Sequence, residues 1–139
     1  MNLSAWFLKL AVLYLVAGVS LGLFMAASHD HSMFPVHAHL TLLGWVSMSL
    51  FGLFYRVWPD AARSRLAKTH FWVYVPAHFA QMVLLAALFR GNAAVEPALA
   101  VASVLVGAAI VCFVLVVWKY ADAPAAAVLV KVQPTRAAA

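Results

Sequence analysis

Polar residues interrupt this chain only briefly, and between the interruptions lie four apolar runs. They cover about Ala5–Ala27, Pro35–Trp58, Lys68–Arg90 and Val95–Tyr120. A bilayer core is crossed by about 20 apolar residues in a helix, so each run is long enough for one crossing. Pro35 suits a first helical position, where its missing N–H would be unpaired in any case. The breaks are short: Ser28–Phe34, the basic stretch "PDAARSRLAK" (Pro59–Lys68), and "RGNAAVEP" (Arg90–Pro97) with its Gly-Asn turn signal. The pattern predicts an all-α integral membrane protein, with one domain of four transmembrane helices in an antiparallel bundle over residues 1–122. An Ala/Pro/Val-rich tail over residues 123–139 is expected to be flexible. The first run is longer than a signal-peptide core and has a single basic flank, Lys9, so a retained helix is expected. Gly18–Gly22 and Ser103–Gly107 carry the small-xxx-small spacing of close helix contacts.

Composition strengthens the membrane reading. Hydrophobic residues make up 67% of the 139 and charged residues only 9%, against roughly 25% charged in a soluble domain. The net charge of +5 is spread over segment ends rather than gathered in one block, which argues against nucleic acid as a partner. Cys112 stands alone, so no disulfide can form within one chain. Arg56, Arg63, Arg65 and Lys68 cluster about the middle loop, and Lys119, Lys131 and Arg136 lie at the end of the last run and in the tail. By the positive-inside rule these face the cytoplasm, and Lys9 agrees. The expected setting is a bacterial-type inner membrane with both termini cytoplasmic. Ser28–Phe34 and Arg90–Pro97 would then face outward.

The candidate chemistry lies in the histidines. Four of the six, His29, His31, His37 and His39, fall within eleven residues in "SHDHSMFPVHAH". An ionisable side chain inside a bilayer is a functional hypothesis by default, and imidazole is a common ligand of metals and haem iron. Residues two apart on a helix differ by about 200° in direction and about 3 Å in height. His37 and His39 should therefore serve two different neighbours at one depth. His78, two residues after Pro76, should lie near mid-membrane, as a further ligand or hydrogen-bonded to a neighbouring helix through Gln81. His70, beside Lys68, reads as an interfacial residue. With Pro35 and Arg90 taken as one boundary, His39 lies about 6 Å deep and His78 about 18 Å. That mismatch argues against this pair around one haem. His37 of one subunit and His39 of another match better, which predicts a haem b between subunits of a homo-oligomer. Arg90 is the one arginine expected at the outer face and would meet a propionate. The alternative is an outer-face copper or zinc site built from His29, Asp30, His31 and His37, with His39 as a further ligand. A non-catalytic assembly subunit of a respiratory complex is the second alternative.

"PVHAHLTLLGWVSMSLFGLFYRVWP" (Pro35–Pro59) resembles a haem-bearing helix of the catalytic subunit of haem–copper oxidases and nitric oxide reductases, closest to the second helix of the cbb-type oxidases. Val36, His37 and Gly44 match that pattern. The His37-x-His39 doublet is similar to the family's tenth helix, whose two histidines ligate haems on opposite sides. "KTHFWVYVPAHF" (Lys68–Phe79) resembles segments of small stand-alone relatives. The resemblance implies electron transfer or O2/NO chemistry at haem b. The family's copper site uses an adjacent His-His pair, and this chain has none. Its four helices would form one of the family's three arcs, so the resemblance implies a homotrimer with His37 and His39 of adjoining subunits sharing each haem.

Overall fold

The computed structural model describes residues 1–124. The expected flexible tail falls, from residue 125 onward, outside the described residues. Four helices are long and apolar enough to cross a membrane: Leu3–Ser28, Phe34–Val57, Arg65–Phe89 and Ala93–Tyr120. Their ends lie within three residues of the runs read from the sequence. Local chemistry sets those ends. The Asn2 side chain accepts from the Ala5 N–H at 3.1 Å and opens α1 (Leu3–Ser28). His29 closes it in the left-handed conformation, with φ 56°. Pro35 sits in the first turn of α2 (Phe34–His39) and Pro59 in that of α4 (Pro59–Arg63). Ser64 caps α5 (Arg65–Phe89) through the Ala67 N–H at 3.1 Å. Gly91, at φ 93°, takes the turn that leads to α6 (Glu96–Tyr120).

The second long helix is not uniform. Between α2 and α3 (Met48–Val57), residues Leu40–Ser47 form a π-helical segment. Its wider turns disturb the regular carbonyl pairing, and side-chain hydroxyls take part in the repair. Thr41 Oγ1 donates to the carbonyls of His37 (2.9 Å) and Ala38 (3.1 Å), and Ser47 Oγ donates to that of Leu42 (2.8 Å). Within this segment Gly44 lets the Tyr14 ring approach so closely that a Cβ there would lie 2.6 Å from it. π-Helical turns inside α-helices recur at functional positions.

α1 packs along the second long helix, and α5 packs along α6. The two antiparallel hairpins meet over a core of Phe7, Phe51, Tyr55, Phe71, Tyr74 and Val116. Cross-hairpin contacts fix the register. Val36 packs with Met82 and Leu85, the Tyr74 hydroxyl donates to the Leu43 carbonyl at 3.0 Å, and the Tyr55 hydroxyl meets His70. The outward faces carry Val12, Leu13, Val16, Val104, Leu115 and Trp118, all exposed. An apolar surface of this extent is unstable in water and suits a hydrocarbon surround.

Candidate functional site: histidines along the bundle

His37 and His39 leave α2 in different directions, as their spacing predicts. His37 Nδ1 is 2.9 Å from the Gly18 carbonyl oxygen on α1. Gly22 makes room for the ring: a Cβ there would stand 3.0 Å from His37 Cε1. His39 Nδ1 lies 2.8 Å from the Pro35 carbonyl oxygen, one turn back on its own helix. A carbonyl only accepts, so Nδ1 carries the hydrogen in both rings and Nε2 keeps its lone pair. This tautomer is the one that metal-ligating histidines adopt, with the second nitrogen fixed by a carbonyl. Both side chains are half-buried.

His78 sits differently from the expectation. It is fully buried, and Gln81 does not hold it: the Gln81 amide donates to Ser103 Oγ at 3.0 Å. Neither His78 nitrogen has a hydrogen-bond partner among the described residues. Its ring stacks on Tyr74 at 5.7 Å and meets Tyr14 edge-on at 4.8 Å. The backbone of His39 lies next to it. His39 and His78 therefore share a depth, which corrects the mismatch expected from the sequence. The physical reason is register. Pro35 and Arg90 are not level, because Val36 already packs against Met82 and Leu85, and α5 runs on past the start of the second long helix. Tyr14, Tyr74 and the His39 backbone close around the His78 ring.

His70 is the functional-type residue that sequence reasoning misjudged. It is fully buried, not interfacial. Its Nδ1 is 2.9 Å from the Tyr55 hydroxyl, while Nε2 has no partner among the described residues. Rings of Phe7 (5.1 Å), Phe51 (4.6 Å) and Phe113 (5.3 Å) enclose it. Tyr74 follows one turn later at 5.6 Å, and His78 one turn beyond that. His70, Tyr74 and His78 thus form a polar-aromatic column on the inward face of α5. The signal was present in the sequence as a three-member i, i+4, i+8 spacing.

The remaining candidates do not converge on these rings. Arg90 is exposed at the end of α5, twelve residues, or about 18 Å, beyond His78 along the axis. His29, Asp30 and His31 are exposed in the loop after α1. Asp30 Oδ1 accepts from the Ser32 N–H at 2.9 Å, and this backbone hydrogen bond holds its carboxyl below the ordinary value of 3.8. His31 Nδ1 lies 3.3 Å from the His29 carbonyl oxygen. Among the described residues no three of His, Cys, Asp or Glu gather as metal ligands. An apolar groove of about 580 Å³ does adjoin the column, opening between Leu13 and Tyr14 of α1 and Trp72, Pro76 and Phe79 of α5, with Leu40 at its side.

The arrangement offers two anchored imidazoles with free Nε2 lone pairs, on different sides of one helix, beside an apolar groove. Such a set can ligate iron or another soft-to-borderline metal. Comparison with protein-family models, with curated proteins and with solved structures finds no match.

Proposed function

We propose that this chain is a multi-pass membrane protein of b-cytochrome type, with His37 and His39 as axial donors to haem. The observation that carries the reading is the matched anchoring of the two rings: Nδ1 of each is held by a carbonyl oxygen, Gly18 in one case and Pro35 in the other. That hydrogen bond fixes the tautomer and the ring orientation and raises the basicity of Nε2. Because the two rings reach to different sides of α2, one chain does not close a bis-histidine pair with them. Haem would be held between copies, by His37 of one and His39 of the next, in a homo-oligomer; the resemblance to a family built of three four-helix arcs implies a trimer. His78 serves as a packing and orienting residue beside His39 rather than as an axial ligand.

Haem supplies a one-electron couple, and with an open axial position it binds O2 or NO. The residues of this chain contribute orientation and exclusion of water. Gly22 admits the His37 ring against α1, Gly18 admits the Thr41 side chain, and the Thr41 hydroxyl bonds back to the His37 carbonyl. The resemblance of Pro35–Pro59 to a haem-bearing helix of haem–copper oxidases supports the same role. The four lysines and arginines between the two hairpins support, by the positive-inside rule, an orientation with both termini in the cytoplasm and the histidines near the outer face of an inner membrane.

The test is a visible spectrum of the detergent-purified protein, oxidised and reduced. A sharp Soret band and a reduced α-band are expected, each lost in His37→Ala and in His39→Ala while the helical circular dichroism is retained. A low-spin spectrum that survives in either variant removes that residue from the axial role. An intact-mass measurement showing a stable haem-loaded monomer overturns the shared site.

A further inference from the structure

At the end of the bundle remote from His37, a polar pocket of about 450 Å³ opens where four helices meet. Asn2 and Ser4 come from the start of α1, Tyr55 and Arg56 from the end of α3, Arg63 from α4 and Lys68 from the first turn of α5. The ionisable side chains on its wall other than the Tyr55 phenol are therefore all cations. Arg63 is paired with Asp60 at 2.9 Å, but no acid stands within ion-pair distance of Arg56 or Lys68 among the described residues. The first turns of α1 and α5 also lack acidic residues, so their positive dipole ends are not offset. The Tyr55 phenol, only 2% exposed, lines the pocket and is held by His70 beneath it.

The surroundings say which kind of anion fits. Within a turn of the pocket, exposed Trp6 on α1 and exposed Leu53 and Val57 on α3 turn to the outside of the bundle. Lys9 lies over the Trp6 ring at 5.4 Å, the posture of a cation held at a membrane boundary. A charged pocket that opens onto an apolar flank matches a molecule with an anionic head and hydrocarbon tails. A freely soluble phosphate would use the cations alone.

We propose that this pocket binds the phosphate of an anionic phospholipid, with Arg56 and Lys68 as the principal contacts and Arg63 at the rim. The acyl chains lie along Trp6, Leu53 and Val57. Basic pockets between helix ends on the cytoplasmic side are suited to such headgroups. The inference takes from the preceding section only that the chain lies in a bilayer, and it is independent of haem.

The experiment reconstitutes the full chain in phosphatidylcholine containing phosphatidylglycerol as a minor component, then reads retained lipid by intact-mass spectrometry of the released protein. Phosphatidylglycerol is expected to be retained over phosphatidylcholine. Arg56→Gln with Lys68→Gln should lower that retention by roughly tenfold. The charge-conserving pair Arg56→Lys with Lys68→Arg should keep it. Arg65→Gln, exposed in the same first turn but outside the pocket, should leave it unchanged. Equal retention of both lipids, or full retention in the glutamine pair, overturns the proposal. Displacement of phosphatidylglycerol by millimolar inorganic phosphate also overturns it, by assigning the pocket to free phosphate. The haem spectrum of the same samples is read in parallel, so that a failure here is not confused with a failure of the haem assignment.

Discussion

The Tyr55 hydroxyl lies 2.9 Å from Nδ1 of His70, and both side chains are almost wholly shut off from the surroundings. The bond joins the end of α3 to the start of α5, so one polar contact ties the two hairpins together inside an aromatic layer. His70 Nε2 has no partner there. The imidazole is thus half-satisfied, and Tyr55 is the group that keeps it so.

Tyr55→Phe should therefore destabilise the fold more than the loss of one hydroxyl suggests. It leaves both His70 nitrogens unpaired in an apolar surround, at a cost of about 1–3 kcal/mol. His70→Phe should be milder, because the Tyr55 phenol still faces a polar pocket. The double variant should show a favourable coupling of about 1 kcal/mol relative to the sum of the two. Thermal unfolding in detergent, followed by circular dichroism, reads all three. Strict additivity would mean that the bond contributes nothing.

Gly22 and Gly107 separate a glycine that serves the site from one that does not. A Cβ at Gly22 would stand 3.0 Å from His37 Cε1, whereas at Gly107 it meets nothing within 4 Å. Gly22→Ala should push the imidazole off the Gly18 carbonyl and shift or abolish the haem spectrum with a smaller loss of stability. Gly107→Ala should change stability by no more than about 0.5 kcal/mol. Gly44→Ala, with Tyr14 ring carbons at 2.6 Å, should destabilise by about 1–3 kcal/mol through overpacking. Spectra and melting curves of the three variants check this order, and an unaltered spectrum in Gly22→Ala would detach His37 from the site.

The helices and the two faces of α2 were legible because each depends on local rules. Length of apolar run decides a crossing, and a two-residue step decides that His37 and His39 diverge. What lay hidden depends on partners distant in the chain. His70 read as interfacial because Lys68 precedes it, yet α5 starts as early as Arg65, and Tyr55, fifteen residues away, supplies the bond that allows burial. The equal depth of His39 and His78 was hidden for a related reason: sequence gives rise per residue along one helix, but not the offset between two. The π-helical segment had no visible cue, since the bonds from Thr41 to the carbonyls three and four residues back occur in ordinary helices as well.

The loop after α1 carries its own pH dependence. Asp30 accepts the Ser32 N–H, and its carboxyl is held below 3.8. A depressed carboxylate contributes stability above its unfolded value and loses it as pH falls through the folded value. The Ser28–Ser32 turn should therefore stay constant through neutral pH and loosen only in acid below 3.8. The Ser32 amide resonance should follow that titration, and Asp30→Ala should abolish the dependence. A midpoint above 3.8 would show that the hydrogen bond does not stabilise the charged form.

His78 gives the sharpest contrast between stability and role. It is fully buried between Tyr74 and Tyr14, with neither nitrogen in a well-formed hydrogen bond among the described residues and only a weak contact to the His39 backbone. An unsatisfied buried polar group costs about 1–3 kcal/mol, and a well-shaped apolar replacement removes that cost. His78→Leu should accordingly raise the melting temperature of the haem-free protein. If the ring also orients His39, the same substitution should broaden the low-spin spectrum or weaken haem retention without removing it. His78→Gln restores donors and acceptors of similar reach and should fall between. A His78→Leu protein that melts lower than the parent would show that the imidazole is satisfied by a group inside the bundle. Complete loss of the haem spectrum would instead make His78 a ligand and remove either His37 or His39 from the axial pair.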